Sequence, residues 1–171
     1  MKDFQEMSRG RFSCRNFSPK EVPEELIATI VETARLCPTA ANRQPYHVWV
    51  IKSQELLEKV KSTTRSNYGA PLIFAVGVDP AKAWTRRYDA KNGADIDGGI
   101  VATHIMLSAT DLGLGSLWVG SFDPVALSKL LPGAEGYEMI AMICVGYPQE
   151  NCSPSPMHSD RKPVGELFTE V

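Results

Sequence analysis

The chain lacks the patterns by which most reactive or nucleotide-binding sites can be read directly. Its four cysteines, Cys14, Cys37, Cys144 and Cys152, form no C-x-x-C pair, and its three histidines keep no ligand spacing with them, which argues against a structural zinc site or any other metal. There is no G-x-G-x-x-G, because the position completing that pattern from Gly113 and Gly115 is Trp118, and there is no G-x-x-x-x-G-K. A G-x-S-x-G elbow and an H-E-x-x-H helix are equally absent. No apolar run approaches the roughly 20 residues of a membrane span, and no apolar h-region follows Met1. The formal net charge of -2 leaves no basic excess for neutralising nucleic acid or an anionic membrane. The expectation is a cytoplasmic protein with free thiols and neither nucleic acid nor membrane as partner.

What is present reads as one globular domain spanning 1–171, of which 43% is hydrophobic and 22% charged. A short helix is expected over residues 2–9. Pro23 opens an amphipathic helix carrying Leu26, Ile27, Ile30, Val31 and Ala34, which stops before Pro38. Tyr46 to Ile51 reads as a strand, and Ser53 as the cap of a helix running to about Arg65. Pro71 to Val78 is apolar enough for a strand buried on both faces. The polar stretch 79–92 reads as a mobile excursion. Asp95 to Leu112 forms a long helix, apolar around its circumference and so expected to be buried all round, with small residues that permit close approach of a second subunit. A strand within Gly113–Phe122, a helix capped by Asp123 and a last strand from Tyr137 to Val145 follow, and the tail 149–159 should be irregular.

Candidate chemistry begins at Arg11-Phe12-Ser13-Cys14-Arg15. In extended backbone successive side chains alternate, so Arg11, Ser13 and Arg15 share one face and Phe12 and Cys14 the other. Two guanidinium forks and a hydroxyl suit the oxygens of one phosphate monoester. Arg161 and Lys162 are the other cations beside irregular backbone. His47 lies in a strand and His104 on the long helix, where structural roles are the simpler reading. With so little reactive machinery in the protein, a cofactor would have to supply the chemistry.

Taken in order, six stretches give the chain a resemblance to the FMN-dependent nitroreductases. They are Arg11-x-Ser13-x-Arg15-x-Phe17, the loop Pro38-Thr39-Ala40-Ala41-Asn42-Arg43-Gln44-Pro45, the long helix with Asp97 and Gly98, Gly113-Leu114-Gly115 leading to Trp118-Val119-Gly120, Gly146-Tyr147-Pro148, and Arg161-Lys162. The resemblance implies a nitroreductase-like α+β fold, a mostly antiparallel sheet of four to five strands flanked by helices, with the long helix buried at a homodimer interface. It implies FMN held by Arg11, Ser13, Arg15 and Arg161 or Lys162, lying along Trp118, Val119 and Gly120. Pro38, Thr39, Ala40, Asn42 and Gln44 would arrive from the other subunit. The implied activity is ping-pong hydride transfer from NADH or NADPH, through FMN, to a nitroaromatic, quinone or similar small acceptor. A flavin-storing protein, reductive dehalogenation and flavin fragmentation are alternatives on the same scaffold. The family loop usually has serine where Thr39 and Ala40 stand, and the glutamate some members place near the flavin N5 is missing between Trp118 and Ser121.

Overall fold

The computed structural model describes residues 3–171; the predicted first helix therefore starts partly outside the described residues, and is observed as α1, Phe4–Gly10. α2 spans Glu24–Arg35. Pro23 sits at its N-cap, where its carbonyl accepts from Leu26 and Ile27 at 3.0 and 3.1 Å. β1, Tyr46–Ile51, leads through Ser53, whose Oγ accepts from the Leu56 N–H at 3.4 Å, into α3, Gln54–Val60. This helix ends five residues before the expected Arg65. Hydroxyls compete there for backbone carbonyls: Thr63 Oγ1 donates to the Val60 carbonyl at 2.8 Å and Thr64 Oγ1 to the Ser121 carbonyl at 2.7 Å.

β2, Leu72–Val78, is buried along its whole length. The stretch 79–92 folds back on itself through Arg86 N–H to the Lys91 carbonyl and Gly93 N–H to the Trp84 carbonyl, each 2.9 Å. α4 then runs from Ala94 to Asp111, followed by β3, Gly115–Val119, α5, Pro124–Leu130, and β4, Glu138–Gly146. Asp123 Oδ1 caps α5 by accepting from Val125 and Ala126 at 3.0 and 2.9 Å. The tail is irregular apart from one 3-10 turn at Pro156–His158, and a final short helix, α6, covers Val164–Leu167.

The four strands form one sheet in the order β1-β2-β4-β3, with every pair antiparallel. Alternation along β2 divides the core. Leu72, Phe74 and Val76 face α2 and α4, against Ile30, Val101 and Ile105. Ile73 and Ala75 face the other layer, built from Trp49, Leu57, Val60, Leu127 and the inward side of the N-terminal segment. Each large aliphatic or aromatic side chain so enclosed contributes about 1.5–3 kcal/mol. Gly98 is required where α4 crosses the sheet, because a Cβ there would overlap Ile140 Cδ1 and lie 2.6 Å from Val78 Cγ1. Within the single chain α4 buries one face only. Ala94, Asp97, Gly98, Val101, Ala102, Ile105, Ser108 and Ala109 are covered, whereas Ile96 is 54% exposed and Ile100, Thr103 and Leu107 are half-buried.

Candidate functional site

The segment after α1 is fixed by backbone pairing with β3. Ser13 bridges Ser116 in parallel, and the Cys14 N–H donates to the Ser116 carbonyl at 2.9 Å. Gly115 makes the approach possible, since a Cβ on it would lie 2.8 Å from Cys14 Sγ and 2.9 Å from Cys14 Cβ. Held this way, Cys14 is fully buried while Arg11, Ser13 and Arg15 turn outward; Phe12 packs against the core yet, against the expected alternation, also lines the same cleft.

They open onto a cleft of about 190 Å³ whose far wall is the C-terminal tail, with Ser155, Met157, His158 and Arg161. Ser155 Oγ caps the 3-10 turn by accepting from the Met157 N–H at 3.3 Å. His158 Nε2 lies 3.1 Å from the Arg9 carbonyl, and its ring meets Phe12 edge-on at 6.5 Å. Arg161 Nη1 donates to the Met157 and Asp160 carbonyls at 3.2 and 2.6 Å. Burial and then the neighbouring Arg161 charge hold the Arg11 guanidinium below its ordinary pKa. Among the described residues no carboxylate comes within ion-pair distance of Arg11, Arg15 or Arg161. Guanidiniums gathered in this way, with a hydroxyl beside them and no internal counter-ion, form a cleft suited to an external anion with several oxygens.

Other expected site residues lie elsewhere. Lys162 does not line the cleft; its Nζ is 3.8 Å from a Glu166 carboxylate oxygen, one helical turn on. Val119 is 3% exposed and its side chain belongs to the core, so only its backbone can meet a ligand. Trp118, pointing to the opposite face of β3, is 38% exposed, and Gly120 beyond it is open. The loop bearing Pro38, Thr39, Ala40, Asn42 and Gln44 also contributes nothing to the lining of the cleft. It is nevertheless a built structure. Ala41, Asn42 and Gln44 all have φ near +50°, a conformation costly for residues with side chains. Thr39 Oγ1 accepts from the Gln44 N–H at 3.0 Å, and Asp97, buried at the start of α4, accepts from the Ala40 N–H at 2.9 Å through Oδ1. Sequence reasoning missed Asp97 as the anchor of this loop, and missed Ser155 and His158; a Ser-Pro pair opening a turn is the signal that marks the latter.

A sequence profile described as the Nitroreductase family matches residues 8–68 and 64–147, which takes in both the outward-facing segment and the sheet. The chain belongs to the nitroreductase family. It is 32% identical, over 87% of its length and 79% of the relative's, to a protein of Methanothermobacter thermautotrophicus provisionally named NADH dehydrogenase/NAD(P)H nitroreductase. Among solved structures, a nitroreductase family protein from Clostridium difficile 630 superposes with a TM-score of 0.89 at 36% identity, covering 98% of both chains. A nitroreductase from Desulfitobacterium hafniense DCB-2 with bound FMN superposes with a TM-score of 0.78 at 25% identity, covering 100% of this chain and 99% of that one. The nitroreductase fold is thus the fold of this chain, with its sheet at the lower end of the expected four to five strands. Among the described residues no helix is long and apolar enough to cross a membrane, and no cluster of three or more His, Cys, Asp or Glu side chains is placed to hold a metal.

Proposed function

We propose that the cleft between Arg11, Ser13, Arg15 and Arg161 holds the phosphate of FMN and that the protein is an NAD(P)H-dependent FMN oxidoreductase acting on a small acceptor such as a nitroaromatic or quinone. The observation that carries this reading is the convergence of three guanidiniums with no carboxylate partner, Arg11 half-buried among them. Arg11, partly desolvated beside the Arg161 charge, is stabilised when an anion arrives. FMN, when bound, supplies the hydride chemistry. The chain's own part is to grip: Arg11 and Arg15 offer forked donors, Ser13 a hydroxyl, and Arg161 closes from the tail. The exposed strip at Trp118 and Gly120 gives a ring system a ledge beyond the phosphate, with backbone N–H groups in place of the missing glutamate.

A homodimer is part of the same proposal. The uncovered face of α4, with Ile96, Ile100 and Leu107, offers an apolar surface to a second subunit. The 38–45 loop, rigidly shaped yet facing no cleft residue of its own chain, suits delivery of Asn42, Thr39 and Pro38 to the partner's site. Donor and acceptor would then use one open face in turn, giving parallel lines in double-reciprocal plots.

An absorbance spectrum of the purified protein, before and after anaerobic NADPH, tests the reading. A yellow protein bleached within seconds supports an enzyme. A yellow protein that NADPH and NADH leave oxidised supports flavin storage, and a protein that neither carries nor takes up FMN rejects the assignment.

A further inference from the structure

The thiols of Cys14 and Cys152 lie 3.4 Å apart, although 138 positions separate them in sequence. Several bonds hold the two backbones in register around this contact. The Gln149 N–H donates to the Asn16 carbonyl at 3.0 Å, the Cys152 N–H to the Gln149 carbonyl at 2.9 Å, and Asn16 Nδ2 to Asn151 Oδ1 at 2.8 Å. The two sulfurs therefore face each other across a preformed junction, not at the end of a loose tail. A disulfide needs them at about 2.05 Å, so the two sulfurs must close by about 1.4 Å.

We infer that Cys14 and Cys152 are a redox pair, which a peroxide converts to an intramolecular disulfide and a dithiol restores. Cys14 is fully buried and Cys152 half-buried, so Cys152 is the sulfur a small oxidant meets first. Burial, reinforced by the Cys152 sulfur beside it, pushes the Cys14 thiol up to about 11, which keeps it protonated and makes it the poorer nucleophile toward peroxide. In the first step the Cys152 sulfur attacks one peroxide oxygen, the O–O bond breaks, and water leaves with the thiol proton. In the second the Cys14 sulfur displaces the hydroxyl from the Cys152 sulfenic acid as a second water. Two thiols have then lost two electrons to one peroxide, and one S–S bond has formed.

Its position gives the bond a consequence. Cys14 stands between Ser13 and Arg15, and Cys152 begins the tail that carries Ser155, His158 and Arg161, so the bond staples the two walls of the anion cleft together. That consequence rests on the proposed function; the bond itself does not and is read without any flavin.

The test is a thiol count on the full-length chain after treatment with hydrogen peroxide and unfolding, followed by peptide mapping. The protein has four cysteines; the expected count falls from four to two and returns to four with dithiothreitol. Cleavage after Arg and Lys releases Phe12–Arg15 joined to the tail peptide, and cleavage after Glu150 separates Cys144 from Cys152 and shows which is bonded. Cys152→Ser should keep its three thiols under the same treatment, and Cys144→Ala should still form the bond. Four thiols surviving in the wild type, a link mapped to Cys144, or Cys152 oxidised to sulfinic acid beside a reduced Cys14 would each overturn the inference.

Discussion

The Cys14 N–H donates to the Ser116 carbonyl at 2.9 Å, and this bond decides which side chains of the N-terminal segment face the cleft. By pairing Cys14 with β3 it turns Cys14 into the core and leaves Ser13 and Arg15 outside.

Gly115→Val should therefore damage the cleft without touching any residue in it. The new Cβ would lie 2.8 Å from Cys14 Sγ and 3.0 Å from Pro148 Cγ, residues whose backbones are paired with Ser116 and Phe17. A loss of about 1–3 kcal/mol is expected for overpacking of this kind. Urea unfolding measures it, and FMN affinity should fall in parallel.

The 38–45 loop hangs on Asp97. Removing the acceptor of a buried or half-buried N–H costs about 1–3 kcal/mol, so Asp97→Ala should unlatch the Ala40 N–H, which now bonds to Oδ1 at 2.9 Å. Amide exchange at Ala40 should quicken by one to two orders of magnitude, corresponding to that range, while amides in β2 keep their protection.

Alkaline pH should weaken the fold through its buried thiols. Burial pushes Cys14 up to about 11 and Cys144 up to about 12, against an ordinary thiol value of 9.0. Both groups ionise earlier in the unfolded chain, so their contribution is intact below pH 9 and is lost as pH rises toward 11 to 12. The midpoint of urea unfolding should fall between pH 8 and 10.5 more steeply in the wild type than in Cys144→Ala.

How far the sequence spoke depended on whether a residue's role was local. The period-two alternation placed Arg11, Ser13 and Arg15 on one face because the segment is extended, and the run Leu72–Val78 announced a strand covered on both sides. Arg161 and Lys162 could not be separated, since adjacent cations in irregular backbone carry no periodic signal; one lines the cleft and the other faces Glu166. The end of α3 was illegible for a similar reason. The hydroxyls of Ser62, Thr63 and Thr64 weaken the helix locally, but where it stops is also set by the distant Ser121 and Asp123, which bond to Thr64 and to the Thr63 carbonyl. Asp97 reads as an ordinary first-turn acid until the fold brings Ala40 to it.

The proposed sharing of a site between two subunits predicts complementation. Arg15→Ala and Asn42→Ala, each inactive alone, should complement when unfolded together and refolded, because a mixed dimer regains one site with both residues intact. Random pairing makes about half the dimers mixed, so roughly a quarter of wild-type activity should return. No recovery in proven mixed dimers would place both residues in a site built from one chain.

If the cleft beside β3 grips the flavin phosphate, as proposed, fluorescence titration of the apoprotein with FMN reads that grip. Arg15→Ala should weaken binding by about 2–4 kcal/mol, roughly thirty- to a thousandfold, as expected for losing a charge-assisted partner of a desolvated phosphate. Riboflavin, which lacks the phosphate, should bind wild type and variant alike. Unchanged FMN affinity in both Arg11→Ala and Arg15→Ala would mean that the phosphate is held elsewhere.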